Sequence, residues 1–257
     1  MTGPAGPPAG RVLERVESTR GELALRQSGG HFEIISNGVF LMDTRDGRSE
    51  RLLVDVAVAG CTAAAPRILI GGLGVGFSLA AAVAHASAAA IDVVEISPEI
   101  IRWHDTHLRH LAAAARMDPR VSVINADFAA WLAQRPAPYD VICLDIDNGP
   151  GWTVHDANQA LYSDDGLARL HAALTPDGCV SVWSAAADAA FEHRLRGRFA
   201  SVEVREVPVE RGEPDVIYAA TRRMPASPPG SGSSGASTGQ PGTARANPGS
   251  AAGEPPG

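Results

Sequence analysis

The sequence predicts an α/β protein: a mainly parallel sheet covered by helices, ending in an antiparallel hairpin and preceded by a small N-terminal β module. Three observations carry this. Residues 67–83, RILIGGLGVGFSLAAAV, read as a buried strand, a glycine turn and the first turns of a helix. From residue 67 onward, β-branched runs alternate with alanine-rich segments, the pattern of parallel strands joined by crossover helices. Near the end, residues 202–209 and 215–221 flank the connection ERGEP, which is too short for a crossover helix, so this pair must run antiparallel.

In chain order, residues 11–60 read as strands and turns. RVLERVES, GELALRQ, HFEIIS and GVFLMDT are punctuated by Gly29-Gly30, Asn37-Gly38 and Asp46-Gly47, and Asn-Gly and Asp-Gly are strong hairpin signals. Residues 61–222 follow as one α/β domain, with helices expected at 77–88, 98–115, 128–134, 165–174 and 187–196. The two ends, 1–10 and 223–257, are Gly, Pro, Ser and Ala with almost nothing large and apolar to bury. Nothing there offsets the entropy of ordering, and both are expected to be disordered.

Composition narrows the function classes. The net charge is −7 with no block of basic residues, which argues against a nucleic-acid backbone as partner. No apolar run approaches the roughly 20 residues needed to cross a bilayer, and the N-terminus lacks a basic segment followed by an apolar one, so a cytoplasmic location and no membrane partner are expected. Cys61, Cys143 and Cys179 are too few and too widely spaced for a disulfide framework or a zinc site. His104, His107 and His110 recur every three residues, but no cysteine or acid joins them at ligand spacing, so no metal site is expected.

The chemistry concentrates at strand ends. Gly71, Gly72, Gly74 and Gly76 close the first parallel strand, and a helix N-terminus behind such a turn suits a nucleotide-like ligand. A dinucleotide fingerprint would place its third glycine where Phe77 stands, so the spacing favours an adenosyl-sulfonium ligand over NAD. IDVVE ends in Glu95, about 20 residues on, the position from which a carboxylate accepts ribose hydroxyls. The next run ends at Asp127, placed to accept from an adenine amine, and YDVICLD ends at Asp145. In open α/β sheets the ligand crevice lies at the carboxyl ends of the strands, where all four features converge.

The β module, ILIGG, VVEISPEII, DFAAWL, YDVICLDIDNGP and LYSDDGLARLHAALTPDGCVSVWS together resemble the spermidine synthases, the polyamine aminopropyltransferases, over about residues 20–222. The resemblance implies a Rossmann-like transferase domain of class I S-adenosylmethionine type. It implies S-adenosylmethionine, usually decarboxylated, as donor, and transfer of an aminopropyl group to a small-molecule amine acceptor. Glu95 then matches the ribose-binding acid, Asp127 the adenine-binding acid, and Asp145 the base that deprotonates the attacking amine. Three departures stand out: Gly74 replaces a loop acid that holds the donor's ammonium; Arg48 and Ser49 replace a Tyr-His pair, leaving Glu50 as the match; and Asn148 replaces a second acceptor acid, with Asp147 beside it.

Asp147, Glu50 and Trp152 are therefore the acceptor-binding candidates, with His155 in the same loop. A sulfonium donor carries its own leaving group, so alignment and a base suffice and no metal is required. The departures leave open a methyltransferase that uses intact S-adenosylmethionine, and a non-catalytic relative. The open edges of the β module suit pairing into a homodimer.

Overall fold

The computed structural model describes residues 10–18, 20–134, 137–210 and 212–223. The disorder expected of the two ends falls, but for Gly10 and Arg223, outside the described residues. Strands β1 (Arg11–Ser18), β2 (Gly21–Ser28), β3 (His31–Ser36) and β4 (Val39–Asp43) form an antiparallel sheet in sequence order, as the hairpin signals predict. Asn37 closes this sheet locally. Its side-chain oxygen accepts from the amide of Glu22 (2.9 Å) and its NH2 donates to the carbonyl of Arg20 (3.1 Å), tying one turn to the other.

Residues 48–60 depart from the expected strands and turns. They form helix α1 (Arg48–Gly60), which buries Leu53, Val54 and Ala57 on one stripe. The Asp46-Gly47 pair starts this helix and does not turn a hairpin. Helix α1 packs on the larger sheet, against β-strands late in the chain, and is not part of the antiparallel β module.

That larger sheet contains β5 (Arg67–Gly71), β6 (Ala90–Glu95), β7 (Val121–Asn125), β8 (Tyr139–Leu144), β9 (Leu174–Ser184), β10 (Ser201–Val207) and β11 (Asp215–Thr221). The order is β10-β11-β9-β8-β5-β6-β7, with β10 and β11 antiparallel and the others parallel. Helices α2 (Phe77–Ala84), α3 (Pro98–Trp103), α4 (Arg109–Arg116), α5 (Phe128–Ala133), α6 (Asp164–Ala173) and α7 (Ala189–Arg198) cover it. Chain order reverses between β5 and β8, so a crevice opens at their carboxyl ends. Among the described residues no helix is long and apolar enough to cross a membrane.

The single helix expected over 98–115 is broken between α3 and α4. Trp103 and Leu108 are both fully buried, yet positions five apart point about 140° from one another on a helix, so an unbroken helix cannot send both inward. The break is held by the Leu108 amide donating to the Trp103 carbonyl (2.8 Å) and by the Thr106 hydroxyl on the Arg102 carbonyl (3.1 Å). Its consequence is that His104 turns into the interior. One apolar core joins the β module, through Leu25 and Ile34, to α1, α2 and one sheet face; a second lies under α5, α6 and α7.

Candidate active site

The glycine turn is wedged between neighbouring strand ends. The Asp145 amide donates to the Gly71 carbonyl (2.9 Å), and the Gly72 amide donates to the Val94 carbonyl (2.9 Å). Gly72 has φ +91°, and a Cβ there would lie 2.1 Å from the Asp145 carbonyl oxygen, so no other residue fits. Gly74 also has positive φ, and its Cβ would lie 2.3 Å from the Met42 sulfur on β4. Gly72 and Gly74 line a cavity of about 1150 Å3 between the β module and the strand ends. Gly71 and Gly76 do not line it. Gly71 packs against Ile146 and Phe128, and Gly76 against Ala112 and His104. The glycines read from sequence as one ligand loop thus divide into two at the cavity and two that let protein pack on protein.

Glu95 reaches the cavity from the end of β6 while buried to 5% exposure. Its two oxygens accept from the amides of Leu73 and Ser97, both at 2.8 Å, so the carboxylate pins the glycine turn. Burial pushes its pKa up, and the surrounding amides of Leu73, Ser97, Gly74 and Ile96 pull it back. Asp127 is engaged twice. One oxygen caps α5 through the Ala130 amide (2.9 Å), and the other accepts from Arg20 (2.9 Å), which comes from the turn between β1 and β2. Arg20 also donates to the Asn158 side chain (3.0 Å).

Asp145 stands at the tip of β8 and lines the cavity. The Ser78 hydroxyl donates to one of its oxygens (2.6 Å). Burial, and then the negative charges of Asp215 and Glu95, push its pKa up to about 6, against the Ser78 hydrogen bond. Glu50, buried on the first turn of α1, is pushed up to about 8 by burial and by Asp145. The acids that press on Asp145 are therefore Asp215 and Glu95, from distant segments, and not its sequence neighbour Asp147.

Asp147 spends its carboxylate on its own loop. It accepts from the amides of Asn148, Val154 and His155 and from the Asn158 side chain, at 2.6–3.0 Å. This is the ordinary work of an aspartate in a tight turn, here with φ +61° at Asp147 itself. Trp152 is an exposed residue of the cavity rim, and His155 lines the wall with its ring 3.4 Å from the Ser36 hydroxyl.

Arg20, Ser49 and Asp215 also line the cavity, and Ser78 is tied to it through its hydrogen bond to Asp145. Arg20 and Asp215 sit at a turn and a strand start, positions where a polar residue is unremarkable. Ser49 and Ser78 lie on helix faces that only the packing of α1 and α2 turns inward. The three histidines do not assemble. His104 donates to the Gly74 carbonyl (2.9 Å), His107 lies 3.6 Å from Glu14, and His110 packs against Phe32 with the rings tilted. No group of three His, Cys, Asp or Glu side chains among the described residues is disposed to hold a metal ion.

A family model described as the spermine/spermidine synthase domain matches residues 50–211. The chain belongs to the spermine/spermidine synthase family. Among members of this family, polyamine aminopropyltransferase 2 of Pseudomonas aeruginosa is 34% identical over 119 residues, 45% of this chain and 32% of that one. Polyamine aminopropyltransferase 2 of Streptomyces coelicolor is 33% identical over 165 residues, 63% of this chain and 28% of that one. The matches thus span less than a third of either relative's length. The fold is shared with spermidine synthase in complex with the transition-state analogue AdoDATO, at TM-score 0.71 and 17% identity over 84% of this chain and 75% of that one. Spermidine synthase from Thermotoga maritima gives TM-score 0.68, also at 17% identity, over 84% and 73% of the two chains. The family and the fold inferred from sequence motifs are both borne out.

Proposed function

We propose that this member of the family transfers an aminopropyl group from decarboxylated S-adenosylmethionine to a small-molecule amine, with Asp145 as general base. The observation that carries this is the meeting, in one cavity, of the glycine turn with the carboxyl groups of Asp145, Glu50 and Asp215. A cationic amine is the acceptor such a wall attracts, and a carboxylate raised to about 6 is a better base than an ordinary one while still ionised at neutral pH. In the step proposed, the amine nitrogen attacks the propyl carbon bonded to the sulfonium. The carbon–sulfur bond breaks with its electron pair going to sulfur, and the amine proton passes to Asp145. The products are an aminopropylated amine and neutral methylthioadenosine.

Glu95 supports the donor end in two ways, by fixing the turn and by presenting its carboxylate beside the ribose position. Asp127 and Arg20 form the adenine end. The reading includes a homodimer formed through β1 and β4, the edge strands of the smaller sheet. The deciding experiment supplies either decarboxylated or intact S-adenosylmethionine with a panel of amines and identifies the released nucleoside. Methylthioadenosine is expected. S-adenosylhomocysteine would replace this reading with methyl transfer, and no product from either donor would make the chain a non-catalytic relative. Asp145→Asn should lower turnover about a hundredfold or more while leaving donor affinity nearly unchanged.

A further inference from the structure

Asp215 opens β11, opposite Val207 of β10, and its carboxyl reaches the same cavity as Asp145 and Glu50. Neither relative comparison nor sequence motif assigns it a role. Three features single it out. First, the acid beside Asp145 in sequence, Asp147, has its carboxylate filled by four N–H donors, and the following residue is the neutral Asn148, so that loop offers a cation no free carboxylate. Second, Glu50, Asp145 and Asp215 form no ion pair with any arginine among the described residues. Of the arginines lining the cavity, Arg45 pairs with Glu33 and Asp43, Arg20 with Asp127, and Arg48 with Asp46, from where its charge still acts on Asp215. Third, Glu50 is more than nine-tenths buried and faces the cavity with, among the described residues, only the Ser49 hydroxyl (3.0 Å) as side-chain partner.

The connection between β10 and β11 adds direction. Glu210 and Glu213 stand exposed on the cavity rim, directly before Asp215 in the chain. Carboxyl groups thus stand both on the rim and on the wall of the cavity. Buried carboxylates are stabilised by a charged donor far more than by a neutral one.

We propose that Asp215 is the specificity-determining residue for the acceptor: it holds the ammonium group that does not react, with Glu50 beside it, while the reacting nitrogen sits at Asp145. This rests on the aminopropyl-transfer reading. It makes an amine with two charged nitrogens a better acceptor than a monoamine of the same length, for a reason that lies in the last strand of the sheet and not in the loop after Asp145.

The test compares diaminobutane with butylamine in the wild type and in Asp215→Asn, with Asp215→Glu as the conservative variant. Losing one charge-assisted contact should raise the KM for diaminobutane by about tenfold or more. The KM for butylamine should rise less than about threefold, whatever the lost charge does to turnover through Asp145, and Asp215→Glu should recover part of the preference. Equal loss for both amines, or no loss for either, overturns the assignment. Calorimetry with diaminobutane reads the same contact without turnover. Weaker binding by about tenfold in folded Asp215→Asn supports the role even where the wild type transfers nothing, which separates this inference from the reaction assigned above. Equal binding to both proteins, or no binding to the folded wild type, overturns it.

Discussion

Glu95→Gln replaces one carboxylate oxygen with an NH2 group at a position where both oxygens accept backbone amides. The Leu73 amide lies 2.8 Å from Oε2 and the Ser97 amide 2.8 Å from Oε1. Whichever way the new amide turns, a donor faces a donor, and the side chain is only 5% exposed, so water cannot relieve the clash. An unsatisfied buried donor costs about 1–3 kcal/mol. The opposing effect is relief of the buried charge, since burial pushes the Glu95 carboxyl upward. Four neighbouring amides that hold the carboxylate reduce that relief. With that offset the expected net loss is about 1 kcal/mol, and in a domain of this size that lowers Tm by about 2–4 °C. Thermal denaturation without ligand measures it, and calorimetry with methylthioadenosine measures the accompanying loss of affinity. An acid that touched ligand alone would leave the ligand-free protein unchanged. A Tm within about 1 °C of wild type would refute the pinning role and leave Glu95 a ribose acid only.

Three further outcomes are expected. Gly74→Ala should cost more stability in the wild-type background than beside Met42→Ala, because the added Cβ lies 2.3 Å from the Met42 sulfur; urea denaturation of the four proteins reads the difference. Glu50 and Asp145 hold their protons more tightly folded than unfolded, so their contribution to stability is full below the ordinary carboxylate range and is lost as pH rises through about 6 and then about 8. Wild-type Tm should fall across that window, and Glu50→Gln should flatten its upper part. Arg20→Ala should lose about 1 kcal/mol, and a double-mutant cycle with Asp127→Asn should show coupling of about 0.5 kcal/mol or more, measured by chemical denaturation.

How much of this was legible beforehand depends on the range of the interaction. The alternation of strands and helices, the strand ends carrying Gly72, Glu95, Asp127 and Asp145, and the closing hairpin all follow from local periodicity and turn chemistry. Local patterns of this kind are written in consecutive residues. The β module was legible up to Asp43 for the same reason. Helix α1 was not, because an Asp-Gly pair is compatible with both a hairpin and a helix start, and only the sheet face waiting for Leu53, Val54 and Ala57 selects the helix. The break after Trp103 is likewise a tertiary decision, forced by two buried residues that one helix cannot aim at the same core.

The site divides along the same line. Sequence alone determined which residue types stand at the mouth of the sheet. What each of them touches was decided by packing: Met42 beside Gly74, Arg20 on Asp127, a loop closing around Asp147, and Glu50 and Asp215 brought to Asp145 from either side. The physical reason is that a carboxylate's chemistry is set by its burial and its nearest charges, and those neighbours come from segments about 50 or more residues away in the chain.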